Sequence, residues 1–340
     1  MISADMPRSF IFFALMSFFS LQLYAQNIEQ QLRQLKKQTD VITSETPDFE
    51  KYAANEKLLQ LLNEIFNSEK YFDFPFDSLK KLSVQISPDK KFKLITWGIA
   101  KENGEFDYFG YILHNPKEDY PKYFIPMTDK TAEFISPSTE VTDHKKWFGA
   151  IYYKIIFTHY QGKKVYTLLG WKGNNSLTTK KIIEVMTFRS NGTPVFGKFM
   201  FKKNKEKNYR MIFEYSSRTT MLLRFDNQMI HEITKPAKTI KQKYTSKNKK
   251  ANKALRANKK IPAKIKTTKA DMIVFDRLTP VDPRTSKYAA DLEGQYQFYV
   301  PETNIFDGFI FENGKWVFVR DVDARNPKPK HNKKFREPQL

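Results

Sequence analysis

The sequence predicts an all-β fold, an antiparallel meander preceded by one or two N-terminal helices. Three observations predict it. Aromatic residues are 15% of the 340, with 30 Phe and 17 Tyr, and they fall with Val, Ile and Thr in short runs suited to pleated surfaces. From Leu82 onward the apolar period is two, as in Leu82, Val84 and Ile86. Three Asn-Gly pairs, Asn103-Gly104, Asn191-Gly192 and Asn313-Gly314, each lie between β-rich runs, where a type I′ hairpin needs φ > 0 at both central positions.

The elements follow in order. Residues 1–25 have the plan of a signal peptide: Arg8, an apolar run from Phe10 to Phe19 continuing through Leu21 and Leu23, then a small residue, Ala25. An uncleaved anchor is the other reading, although the run is short for a membrane span. Met6-Pro7-Arg8 offers an alternative start. Residues 26–69 read as an N-terminal helical segment. Leu32 and Leu35 mark a weakly amphipathic helix over Asn27–Thr39. A second helix starts at Thr46-Pro47-Asp48, carries Leu58, Leu59, Leu61, Leu62, Ile65 and Phe66 on one face, and ends near Asn67. Phe72, Phe74 and Phe76 alternate around Pro75 as an extended segment.

A single β-rich domain is expected over residues 70–325. Ser87-Pro88-Asp89 turns the chain into a strand beginning at Phe92. The hairpins should pair Ile95–Ala100 with Phe106–Leu113, Ile182–Phe188 with Val195–Met200, and Phe309–Phe311 with Trp316–Val319. Further strands are expected at Ile151–Phe157, Val165–Trp171, Arg210–Tyr215, Thr220–Phe225, Asp271–Phe275 and Gln295–Val300. A curved sheet, a sandwich, a partly open barrel and a propeller-like arrangement all accommodate this inventory.

Charge is spread unevenly. The formal net charge is +21, and Lys235 to Lys269 carries 14 basic residues and no acid. A self-repelling run of this kind cannot build a core, so it reads as a basic disordered loop interrupting the meander. The stretch 326–340 reads as a basic flexible tail; from Arg325 to the end there are six basic residues and one acid. The remainder is nearly neutral, which assigns the basicity to two appendages and not to a folded basic face. Within the loop, Lys247, Lys249, Lys250, Lys253, Arg256, Lys259 and Lys260 are the candidate polyanion contacts. The partner expected is an anionic envelope component, a lipid headgroup or acidic glycan. Nucleic acid is disfavoured, because Tyr244 alone offers no stacking platform. A tolerated insertion without function also explains the tract.

Motifs for chemistry are sparse. With no cysteine, disulfides, thiolate metal sites and cysteine nucleophiles are excluded. The loop Gly170-Trp171-Lys172-Gly173-Asn174-Asn175-Ser176 supplies the binding candidates Trp171, Asn174 and Asn175: Trp stacks on sugars or cations, and amides give directional hydrogen bonds. Turn chemistry accounts for the same residues. The five histidines have no metal-ligand spacing, and Ser216 and Ser217 have no nucleophile elbow around them. Asp307, Asp321 and Asp323 could pair as carboxylates, or balance Arg320 and Arg325 at strand ends. No catalytic residue, metal or cofactor is assigned.

Several runs carry a resemblance: Leu168 to Ser176 with Lys180 to Val185, Phe213 to Ser217, Ile273 to Leu278, and Gly308-Phe309 to Val322-Asp323-Ala324-Arg325-Asn326. With these the chain resembles an uncharacterised exported protein family of Bacteroidetes with no assigned activity, over about residues 70 to 326. The resemblance implies export and a shorter link where the lysine tract stands, and it transfers no site residue. The expectation is an exported, non-enzymatic, envelope-associated binding or structural protein, in the periplasm, at the outer membrane or outside, with no transmembrane span after signal cleavage. A secreted or periplasmic hydrolase of glycans or peptides is the alternative.

Overall fold

A computed structural model describes residues 8–68, 70–118, 120–203, 207–234, 264–282 and 294–324. Strand accounts for 46% of the chain and helix for 22%, the long helices preceding every strand, so the fold is mostly β, with three sheets and no closed barrel.

Helix α1 (Arg8–Ile42) runs without a break through Ala25, and α2 (Asp48–Phe66) follows a short turn. No helix among the described residues is long and apolar enough to cross a membrane. Pro47 fixes the start of α2 in extended backbone, and Asn67 closes its end. Leu35 and Ile42 of α1 pack with Ala54, Leu58, Leu62, Ile65 and Phe66 of α2. The stretch after α2 is not extended as expected. It forms two single turns of 3₁₀ helix, Tyr71–Asp73 and Phe76–Ser78, which let Phe74 and Phe76 both turn into the core.

The first sheet is a meander of β1 (Ser83–Ile86), β2 (Phe92–Ala100), β3 (Phe106–His114) and β4 (Phe124–Thr128). Its two faces are divided cleanly by the period of two. Ile95, Trp97 and Ile99 meet the helices, while Phe92 and Leu94 face the second sheet. Trp97 Nε1 donates to Asn55 Oδ1 at 2.8 Å, which fixes α2 over β2.

The second sheet contains β5 (Thr142–Asp143), β6 (Ile151–Tyr160), β7 (Lys163–Gly173), β8 (Thr178–Phe188), β9 (Pro194–Phe196) and β11 (Arg210–Ser216). Strand β8 is its centre, paired with β7 on one edge and with β9 and then β11 on the other. Ile182 and Met186 face the first sheet; Ile183 and Val185 face the third.

The third sheet has the order β10 (Phe201–Lys202), β15 (Lys315–Val319), β14 (Tyr299–Glu312), β13 (Lys264–Pro280), β12 (Leu223–Thr234), antiparallel except for the short parallel β10–β15 pair. Trp316 Nε1 donates to Thr167 Oγ1 at 3.0 Å and Tyr153 OH to the Leu223 carbonyl at 2.9 Å, joining it to the second sheet. The result is a stack of four layers, helices on sheet on sheet on sheet.

Only one of the three Asn-Gly turns is type I′. Asn313 and Gly314 have φ of 48° and 76° between the paired Glu312 and Lys315. At the other two, only the glycine is left-handed, and the loops hold three residues. Asn103 Oδ1 accepts from Glu105 N and Asn191 Oδ1 from Thr193 N, so each Asn builds an Asx turn where φ > 0 is not needed. Gln161-Gly162, with φ of 50° and 73°, is a second type I′ hairpin. The hairpin after β8 also ends early, at Phe196, because Gly197 turns the chain and Phe201 joins β15 instead.

The end of the lysine tract is strand. Residues 264 to 269 continue β13, and Thr234 lies opposite Lys264. Residues 235–263 and the tail lie outside the described residues, and with them all seven polyanion-contact candidates. Because Thr234 and Lys264 are register partners, an Asn-Gly turn in place of 235–263 should close the hairpin. Melting within about 3 °C of the parent is expected in a thermal scan, and a fall beyond roughly 8 °C would show that the excised residues pack.

Candidate functional site

The loop that the sequence singles out for binding is committed internally. Trp171 is buried and meets Phe106 edge to face at 5.3 Å. Asn174 Nδ2 donates to Thr178 Oγ1 and Glu214 Oε1, and Asn175 Oδ1 accepts from the backbone of Leu177 and Thr178. Turn chemistry accounts for Asn175, while Trp171 stands inside β7 and Asn174 ties the loop to β11.

The carboxylates near the C-terminus are likewise bridged. Arg277 donates to Asp307 at 2.5 and 3.1 Å and to Asp321 at 2.7 Å. Asp276 lines the same groove of about 410 Å³, but the ladder puts it on the face opposite Asp307, which pairs across from Phe275. Burial raises the Asp276 carboxyl above its ordinary range, while Leu222 N donates to it. Ser216 Oγ accepts from Arg218 N, and Ser217 Oγ donates to the Ser176 carbonyl. Among the described residues no three His, Asp or Glu side chains gather as a metal site.

Two buried polar groups lock the middle of the stack. Glu184 in β8 and Arg210 in β11 form an ion pair with no solvent exposure. Tyr152 OH donates to Glu184, Trp147 Nε1 donates to Tyr152 OH at 3.1 Å, and Arg210 reaches the Pro137 carbonyl. Lys172 Nζ donates to Thr131 Oγ1 at 2.8 Å and to the Gly149 carbonyl at 2.6 Å, over the rings of Tyr108 and Phe148. Burial pushes its ammonium down to about 7. The satisfied donors and nearby rings make this an internal tie.

The open site lies at the end of the first two sheets opposite that loop. There β2 and β7 begin and β3 and β8 finish, and a cleft of about 420 Å³ opens between them. Its floor is aromatic. Phe92 packs edge to face on Tyr166 at 4.8 Å and on Phe188 at 5.1 Å, and His114 packs on Tyr120 at 4.5 Å and on Phe188 at 5.1 Å. His114 Nε2 lies 2.9 Å from the Gly192 carbonyl and so carries a hydrogen; burial lowers the imidazole pKa. Gly192 is required here by φ of 80° and by the Tyr120 ring, 2.7 Å from where a Cβ would stand.

Its walls are cationic: Lys91, Lys163, Lys164, Arg189 and Lys198. Glu118 holds Lys91 in a close ion pair, Asp89 lies 3.6 Å from Lys164, and Asp143 lies 3.7 Å from Arg189. The Asp89 carboxylate also accepts from Tyr166 OH at 2.9 Å. Lys163 and Lys198 have no carboxylate partner among the described residues. Lys198 lies over the Tyr160 ring, as does Lys315, and its ammonium pKa is lowered first by burial, then by Lys163 and Lys315. A folded basic face therefore exists, contrary to the near-neutral average of the sequence. The signal that could have found it is the Gln161-Gly162 turn running into Lys163-Lys164, which fixes two cations at a strand start.

No family model, curated protein or solved structure matches the chain.

Glu184→Ala leaves Arg210 as an uncompensated buried charge, and urea denaturation should show a loss of about 3–5 kcal/mol. For Lys172 the folded pKa lies below the ordinary 10.5. The unfolded chain then binds more protons between about pH 7 and 10.5, so the Lys172 contribution to stability grows as pH rises through that window and is lost as pH falls. Relative to Lys172→Met, wild-type stability should climb between pH 7 and 10; parallel curves for the two would refute this.

Proposed function

We propose that this protein is an exported, non-enzymatic binding module for an anionic component of the cell envelope, and that the folded domain carries its site. The observation behind this reading is the cleft: five cations on an aromatic floor, two of them without a carboxylate partner among the described residues. Like charges held together on a rigid scaffold lower stability unless an anion joins them, and such arrangements cluster at functional sites. Strand ends on a buried scaffold are also where binding groups usually stand. The signal-like N-terminus supports export, and an anionic envelope partner fits both the cleft and the lysine tract. The hydrolase alternative draws no support from the groove near Arg277, where Asp307 and Asp321 serve one guanidinium.

Binding of the full chain to inorganic phosphate, to heparin, and to phosphatidylglycerol or phosphatidylcholine vesicles tests the reading. At least one anionic probe should bind saturably and weaken roughly tenfold between about 0.05 and 0.3 M salt. Lys163→Gln and Lys198→Gln should each cost about tenfold, whereas replacing 235–263 by Asn-Gly should cost under about threefold. Failure of every anionic probe to bind sinks the proposal.

A further inference from the structure

The cleft has the dimensions and charge of a small-molecule site, more than of a track for a long polymer. Its volume of about 420 Å³ falls in the roughly 300–1,000 Å³ range of such sites. Its cations converge from separate segments: the end of the Ser87–Lys91 turn, the start of β7, the end of β8, and the turn after β9. Cations that surround a concavity match a compact anion, whereas a polymer is tracked by a row.

The balance of charge sets the ligand's valence. Glu118, Asp89 and Asp143 lie within 4 Å of Lys91, Lys164 and Arg189 respectively, and among the described residues five cations less three carboxylates leave two. His114 adds no charge near neutral pH, because burial lowers its pKa. The two uncompensated ammonium groups, Lys163 and Lys198, are close enough that the first depresses the pKa of the second. A single dianionic group would relieve that repulsion. The floor sets the rest of the ligand: Phe188 and Tyr120 are the half-buried rings that line the cleft, Phe188 seated on the fully buried Phe92 and Tyr166, and they would pack on an apolar or aryl body.

We propose that this cleft binds one compact dianion of the phosphate-monoester type, borne on an apolar or aryl body, with Lys163 and Lys198 gripping the phosphoryl oxygens over the Phe188 ring. A phosphate monoester carries close to two charges at neutral pH and three acceptor oxygens, where a sulfate monoester carries one charge. This inference rests on the anion-binding reading above and narrows it to a ligand class.

Isothermal titration of the full chain with phenyl phosphate, inorganic phosphate, phenyl sulfate and long-chain polyphosphate separates the cases. One phenyl phosphate per chain is expected, bound about tenfold more tightly than either inorganic phosphate or phenyl sulfate. Lys163→Gln and Lys198→Gln should each weaken phenyl phosphate about tenfold, with melting temperature within about 3 °C of the parent; Lys163 is exposed and Lys198 half-buried. Phe188→Leu, which keeps an apolar side chain in the floor, should weaken phenyl phosphate and leave inorganic phosphate unaffected. Equal affinity for phenyl phosphate and inorganic phosphate overturns the aryl-body assignment. Binding of polyphosphate alone overturns the compact-dianion assignment while leaving the anion-binding reading standing. Retention of phenyl phosphate binding by the double lysine variant overturns the site. If no anion binds, both readings fall.

Discussion

Strand β8 has neighbours on both edges and a layer against each face, and the rest of the molecule is arranged by that confinement. Ile182 and Met186 must match the first sheet while Ile183 and Val185 match the third. A polar residue here has no route to water, so Glu184 survives only because Arg210, one strand away, neutralises it and Tyr152 takes its second oxygen. Replacing such a cluster by apolar groups is often neutral, whereas breaking it is costly. Its contribution is one of specificity: β11 can pair with β8 in only one register that brings Arg210 to Glu184, and they are direct partners in the ladder. The ion pair fixes how the chain returns to the second sheet after β10.

The same confinement decides where a ligand can meet the protein. The sheet faces are spent on one another, so polar side chains collect at strand ends. At the end carrying Asn103-Gly104 and the Gly170–Ser176 loop, Gly104 meets Ser176 closely and the groups bond among themselves. At the other end the Gln161-Gly162 turn leads directly into the exposed Lys163 and Lys164, and the cleft forms over aromatic edges. Lys163 and Lys164 stand in β7, whose register is fixed by the core, and Lys91 and Lys198 in turns next to β2 and β9. They cannot drift apart to relieve their repulsion as a flexible arm can.

The fold class was legible because period-two patterning and turn chemistry are local. Leu94 and Ile95 announce a strand buried on both faces, and Asn313-Gly314 announces its own turn. What stayed hidden depends on contacts between distant residues. Asn103 and Asn191 look identical to Asn313 in sequence, yet the loop around them holds one more residue and needs only one left-handed position. Trp171 looked like an exposed platform because glycines flank it, but those glycines make room for Tyr152 and Phe106. The cleft was illegible for the same reason: Lys91, Lys163, Arg189 and Lys198 are unremarkable singly, and only the stacking of two sheets gathers them.

Net charge misled in a particular way. Summing over the domain cancels Lys163 and Lys198 against acids that are nowhere near them, so a near-neutral total concealed a local excess. The lysine tract dominates that sum by count, but a count carries no geometry. Net positive charge alone attracts any polyanion, and the attraction falls off within a Debye length of about 8 Å in physiological salt. A concavity with two fixed ammonium groups over aromatic rings discriminates among anions by valence and by what they carry. The two basic regions therefore differ in kind: one could raise the local concentration of anions, and the other could select among them. Selection needs the rigid register that β7 and β8 impose, which is why the proposed site lies in the folded domain and not in the charge that first draws the eye.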